Sequence, residues 1–263
     1  MKLGWISDPH LECLAHSSAQ AYVRYLAAHA LDAFVITGDL SNAVNLGYHL
    51  SLFASLSAPV YFVLGNHDFY QGSFASVDEV ARKACRKHPN LVHLGHGEVI
   101  RLTTKTSLIG HRGWADGRAG LGDRSKTRLN DHLLIENLKD RESEVLFAIL
   151  NALGDQSADY MRTKAEEALP GCRQLLIATH VPPFPQAALY QEKPSGPEFA
   201  PHFVNVAMGN ALLDLAQRYP DKNLTVLSGH THHAAYYSPR PNLVVKVADG
   251  RYGHPAIAEV LNL

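Results

Sequence analysis

The chain has 263 residues, 46% hydrophobic and 19% charged, which is enough length for one large core or two modest ones. A net charge of −1 with the histidines neutral gives no global field to recruit nucleic acid or an anionic membrane surface. No apolar run approaches the roughly 20 residues that a membrane helix needs. Cys13, Cys85 and Cys172 are scattered and odd in number, so they form no disulfide framework and point to a reducing, cytoplasmic setting. No signal peptide is expected ahead of the first strand.

Residues 2–7 read as a buried strand, followed by an amphipathic helix near 17–30 with Tyr22, Val23, Leu26 and Ala30 on one face and Ser17 or Ser18 as its cap. Strands at 33–37 and 59–64 enclose a second helix, and residues 73–87 make a third. This β-α-β-α-β rhythm implies a parallel sheet with right-handed crossovers. Short strands follow near 91–94, 97–101 and 105–110, and then a glycine- and charge-rich stretch that starts at Gly110 and runs to Asp131. Residues 132–153 and 156–169 read as two helices, the first buried through Leu134, Leu138, Val145, Ile149 and Leu153. The last third repeats the opening grammar, with strands near 173–179, 223–228, 233–238, 242–248 and 256–261 and a helix near 203–218. One domain over residues 1–263 is expected, with a loop and helical insertion at about 110–170. No repeat, linker or low-complexity segment interrupts it, and nothing marks a dimer surface.

Sixteen histidines are unusual for this length, and their placement carries the argument. Five short pieces each close a predicted strand: Asp8-Pro9-His10, Gly38-Asp39-Leu40, Gly65-Asn66-His67-Asp68, Thr179-His180 and Gly229-His230-Thr231-His232. In α/β sheets the loops at that edge converge on ligands, so pieces far apart in sequence can meet in space. Carboxylates and imidazoles suit Mn²⁺, Fe and Zn²⁺, and one carboxylate can bridge two cations. The i, i+2 pairs Asp8/His10 and His230/His232 point the same way if the backbone is extended. Glycines at 38, 65 and 229 permit sharp turns and close approach to the ions.

These pieces, in this order, resemble the calcineurin-like metallophosphoesterase superfamily, and the resemblance spans Asp8 to His232. It implies an α+β (mixed α/β) fold, a four-layer α/β/β/α sandwich. It also implies two divalent or trivalent metal ions, Mn, Fe or Zn. Asp8, His10 and His232 would hold one ion, Asn66, His180 and His230 the other, and Asp39 would bridge them. The implied reaction is hydrolysis of a phosphodiester or phosphomonoester by a hydroxide shared between the ions, with His67 as general acid to the leaving oxygen.

Neighbouring residues admit two readings each. Asp68 either orients a ligand or His67, or caps the next turn. Arg112 and Arg118, in the glycine-rich loop, either grip phosphate or belong to a solvated connection, and Asn66 could also meet substrate. The stiff loop Pro182–Pro185 could wall the pocket, and Phe69 and Tyr70 either stack on a substrate ring or pack inside. His233 alternates away from its neighbours and reads as a packing or surface residue.

The second piece departs from protein Ser/Thr phosphatases, which carry Gly-Asp-x-x-Asp-Arg-Gly where this chain has Asn42 and no arginine. That argues against a phosphoprotein phosphatase and leaves Asn42 or Asp68 to steady His67. The expected partner is a small-molecule phosphoester, with no membrane. A nuclease would require a basic groove leading to the metals, and a non-catalytic scaffold on the same fold would be expected to have lost ligands or His67.

Overall fold

The computed structural model describes residues 1–263. The chain begins β1 (Lys2–Ile6), α1 (His16–Ala27), β2 (Ala33–Thr37), α2 (Leu46–Phe53), β3 (Val60–Val63), α3 (Phe74–Lys87) and β4 (Leu91–His93). It continues β5 (Ile100–Arg101), β6 (Thr106–Gly110), a short α4 (Asp131–Leu134), α5 (Ser143–Ala168), β7 (Gln174–Ala178), β8 (Leu189–Tyr190) and β9 (Lys193–Pro194). It ends α6 (Val206–Arg218), β10 (Asn223–Ser228), β11 (Ala235–Arg240), β12 (Leu243–Val247) and β13 (Glu259–Asn262).

Two mixed sheets form. One has the order β13-β1-β2-β3-β4, with β1 to β4 parallel and β13 antiparallel at its edge. The other has the order β11-β12-β10-β7-β6-β5, parallel at its centre and antiparallel at both edges. The period of two in the strands explains the stacking. In β2, Ala33 and Val35 face the second sheet, while Phe34 and Ile36 face the helices α1 to α3. In β7, Leu176 and Ala178 face inward and Leu175 and Ile177 pack towards α5 and α6. Because both faces of each sheet are covered, the central strands are apolar throughout, and the result is the four-layer α/β/β/α sandwich.

Three sequence expectations need correction. Helix α1 starts at His16 behind Ala15, with no side-chain cap from Ser17 or Ser18, and Ala30 lies beyond its end in a left-handed conformation. The two helices expected at 132–169 are instead the single turn α4 and one 26-residue helix, α5. Gly154 does not break α5, because a Cβ there would strike the Asp116 side chain and the absent side chain permits that crossing. The register of the buried stripe moves accordingly to Leu146, Phe147, Leu150, Met161 and Ala165, leaving Val145 exposed.

Candidate metal centre

The five pieces lie at the C-terminal ends of β1, β2, β3, β7 and β10, where both sheets open towards the same rim. The backbone there is unusual. Asp8, His10, Asp39, His230 and His232 all have left-handed φ, between 41° and 72°. Asp and His tolerate this region better than most residues, yet each such residue stores about 1–3 kcal/mol. The two i, i+2 pairs therefore converge through left-handed turns and not through extended backbone, which corrects the sequence reading. Tight packing completes the arrangement. A Cβ on Gly65 would enter the Asp39 carboxylate, and one on Gly229 would enter that of Asp8.

The side chains meet. Ligand-capable atoms of Asp8, His10, Asp39 and His232 all lie within 4.8 Å of one another. His232 Nε2 is 3.3 Å from Asp8 Oδ1 and 3.1 Å from His10 Nε2. Asp39 divides its oxygens: Oδ2 is 3.6 Å from His10 Nε2, and Oδ1 is 3.3 Å from His180 Nε2. Beyond it, Asn66 Oδ1 lies 2.9 Å from His180 Nε2 and 3.0 Å from His230 Nδ1. So seven residues form two adjoining groups that share Asp39.

Three of the imidazoles are oriented by their second nitrogen. His10 Nδ1 donates to Glu12 at 3.0 Å, His180 Nδ1 to the Thr37 carbonyl at 2.8 Å and His230 Nε2 to the His202 carbonyl at 3.0 Å. Each hydrogen bond fixes which nitrogen faces outward, so that in the neutral ring the inward nitrogen carries the lone pair. Asp131 does the same for Asn66. Its Oδ1 accepts from Asn66 Nδ2 at 2.8 Å and from Tyr70 Oη at 2.7 Å, so the amide oxygen of Asn66 faces the histidines.

The electrostatics favour a cation. Asp8 and Asp39 are buried, and their only ion-pair partners are imidazoles. Burial opposes ionisation of Asp39, but His180, His67 and His10 hold its carboxyl well below the usual range. Burial likewise opposes a charged His180, but Asp39 and Asp8 outweigh it and push its pKa up to about 10. His230 is driven the other way, down to about 4, by burial and by the charge on His180. Two buried carboxylates with convergent lone pairs form a donor set that fits Mn²⁺, Fe or Zn²⁺.

Other expected residues lie elsewhere. The Arg112 guanidinium is 3.1 Å from Asp78 and packs over Phe69 and Phe74, and Arg118 is bound by Asp116 and Asp155. Neither lines the cavity at the site, so the phosphate-gripping reading is corrected: carboxylates already hold both guanidiniums. Asn42 does not steady His67, because its side chain accepts from the Asn45 backbone and side-chain amides at the start of α2. Asp68 is fully buried and accepts from the backbone N–H of Ser41 and of Gly65, both at 2.8 Å, so it ties the second motif to the third and does not touch the His67 ring. Phe69 and Trp114 are core residues in edge-to-face contact. The Pro182–Pro185 loop packs against α6 and does not wall the cavity.

His67 stays outside the seven-residue group, stacked on Tyr70 at 4.2 Å and facing a cavity of about 700 Å³. Burial lowers its pKa, against the pull of Asp39. Its Nδ1 is 3.9 Å from Glu12 Oε1, the same oxygen that binds His10, while the other Glu12 oxygen is buried without a partner. Sequence reasoning missed Glu12, Asp131, His202 and Tyr252. Glu12 follows His10 by two residues, a signal that the first motif offered; Asp131 at the start of α4, His202 at the end of a short helical turn and Tyr252 in a loop belong to no motif.

A sandwich of this kind, with a buried carboxylate–imidazole cluster at its strand ends, has the architecture of a metal-dependent phosphoesterase. Residues 1–234 match the calcineurin-like phosphoesterase family, and the chain belongs to it. No curated protein matches the sequence. Among solved structures, a dimetal phosphatase from Danio rerio superposes with a TM-score of 0.60 at 11% identity, covering 95% of this chain and 87% of that one. The protein TT1561 of Thermus thermophilus superposes with a TM-score of 0.56 at 13% identity, covering 95% and 89%. No helix is long and apolar enough to cross a membrane.

Proposed function

We propose that this chain hydrolyses small phosphoesters with two metal ions, one held by Asp8, His10 and His232, the other by Asn66, His180 and His230. The observation that carries this reading is the division of Asp39 between the two groups, one oxygen towards His10 and the other towards His180. Bound there, the cations supply a nucleophile from water at neutral pH and charge that neutralises the phosphoryl oxygens.

The chain's own residues do the rest. Glu12, Thr37 and the His202 carbonyl hold the ligand imidazoles in one tautomer, and Asp131 keeps the amide oxygen of Asn66 turned inward. His67 is the general acid. With Nδ1 turned towards Glu12, its Nε2 is the nitrogen left for the leaving oxygen, which takes a proton as the P–O bond breaks. Glu12 is then the group that steadies His67, in place of Asn42 or Asp68.

The test is elemental analysis combined with hydrolysis in ¹⁸O-water. Wild-type protein should bind two ions, Asp39→Asn should lose at least one and its rate should fall by about 10²-fold or more. Product from a single turnover should carry one solvent oxygen. A trapped phosphoryl-protein, or wild-type protein with two bound ions that hydrolyses no phosphoester, would overturn the proposal, the latter favouring a scaffold.

A further inference from the structure

The cavity beside His67 is built from two kinds of wall. At its floor lie Asp39, Asn66, His67, His230 and His232, and no lysine or arginine lines any part of it. Asp131 adds a buried carboxylate to the same wall. A phosphomonoester near neutral pH carries close to two negative charges on three non-ester oxygens, and such groups are commonly matched by guanidinium or ammonium. Arg112 and Arg118, in the loop after β6, are already bound by Asp78, Asp116 and Asp155. A phosphodiester carries one charge on two oxygens, and presents a second ester arm where the monoester has its third anionic oxygen. With positive charge confined to the two bound ions and none supplied by the cavity's own side chains, the lower charge of the diester is favoured.

The second wall shows what that arm is. Ten large hydrophobic side chains are exposed on the whole chain, and three of them, Tyr190, Phe199 and Tyr252, rim this one cavity at 62%, 51% and 52% exposure. Tyr70 and Phe203 continue the aromatic surface inward. Exposed aromatic rings gathered at a concave site mark a ligand that covers them. The rim is pre-formed, since Tyr190 sits on the β8–β9 hairpin, closed by Gln191 and Glu192 with φ of 48° and 65°, the two-residue turn whose twist matches a hairpin.

We propose that the natural substrate is a small monoanionic phosphodiester with an aromatic or nucleobase-bearing arm seated against Tyr190, Phe199 and Tyr252. This rests on the phosphoesterase reading above and narrows it. A polynucleotide is disfavoured by the same lack of basic residues.

The experiment uses full-length protein with two bound ions confirmed by elemental analysis. Catalytic efficiency is compared at pH 8 on bis(p-nitrophenyl) phosphate, methyl p-nitrophenyl phosphate and p-nitrophenyl phosphate. Binding of diphenyl phosphate and of phenyl phosphate to His67→Ala protein is measured by calorimetry. The expected order is bis-aryl diester, then methyl aryl diester, then monoester, with diphenyl phosphate bound more tightly than phenyl phosphate. Tyr190→Ser and Phe199→Ser, both on the exposed rim, should each weaken diphenyl phosphate binding and raise KM for the bis-aryl ester roughly tenfold, with kcat little changed. Faster monoester turnover, or tighter phenyl phosphate binding, would overturn the diester assignment while leaving the phosphoesterase reading intact. Unchanged binding in both rim variants would overturn the aromatic arm. No turnover of any of the three esters would remove the phosphoesterase reading and this inference with it.

Discussion

Asp131 offers the sharpest separation of one metal position from the other. Its Oδ1 receives both the Asn66 amide and the Tyr70 hydroxyl, at 2.8 and 2.7 Å, and the residue is 6% exposed. An ionised carboxylate is acceptor-only, so it tolerates only the NH₂ end of Asn66 and thereby forces the amide oxygen towards His180 and His230. In Asp131→Asn the shape is kept but that selectivity is lost, because an amide can pair with either end. A flipped Asn66 would aim a donor at the cation. Hydrogen bonds to charged groups contribute about 1.5–3 kcal/mol each. Outer partners of ligands typically change metal affinity by about 10–100-fold. The variant should therefore bind the ion beside Asn66 about 10–100-fold more weakly and leave the ion at Asp8, His10 and His232 within about twofold. Calorimetric titration of metal-stripped protein with Mn²⁺ would resolve the two affinities. Equal weakening at both positions, or none at either, would refute the reasoning.

Glu12→Gln should retain both ions and slow hydrolysis by about tenfold, most for poor leaving groups that need a proton from His67; loss of an ion would show that Glu12 serves His10 alone. His67→Ala should keep both ions, measured by elemental analysis, and lower kcat by about 10²–10⁴-fold, with the smallest loss for p-nitrophenolate. Acid should destabilise the fold through buried neutral histidines. Burial, aided by His96, drives His93 down to about 3, whereas the unfolded chain takes its proton near 6.5. The stabilisation it gives is thus complete above pH 6.5 and is lost as pH falls towards 3, by up to about 5 kcal/mol. His93→Phe, which replaces a ring already stacked on Phe62 and lacking a partner for Nδ1, should flatten the fall in melting temperature between pH 6.5 and 4. An unchanged pH profile would show that other groups control acid unfolding.

The parallel opening sheet and the strand ends were legible because their signals are local: apolar runs of five residues, each closed by a polar motif. The seven clustered residues were legible for the same reason. The conformation that lets them cluster was not, since nothing in Asp8-Pro9-His10 announces left-handed backbone. Asp131 lies in a stretch where glycine and charge alternate without period, and its burial depends on Asn66, 65 residues away. Arg112 and Arg118 looked available only because their partners Asp78 and Asp155 come from other elements. The gap expected between residues 153 and 156 closes into α5 at Gly154, whose neighbour across the crossing, Asp116, was invisible in one dimension.

Helix α5 has a mechanical meaning. Leu146, Phe147 and Leu150 near its start pack in the cluster under α1 to α3, while Met161, Ala165 and Ala168 near its end pack on the outer face of the other sheet. The helix is therefore a splint across the sandwich, joined to both halves by apolar contacts. The sheets cannot swing apart like the halves of a shell without tearing one end of it loose. Amide exchange in the two sheets should then slow and quicken together, and substrate should enter by way of the rim and not by a parting of the layers.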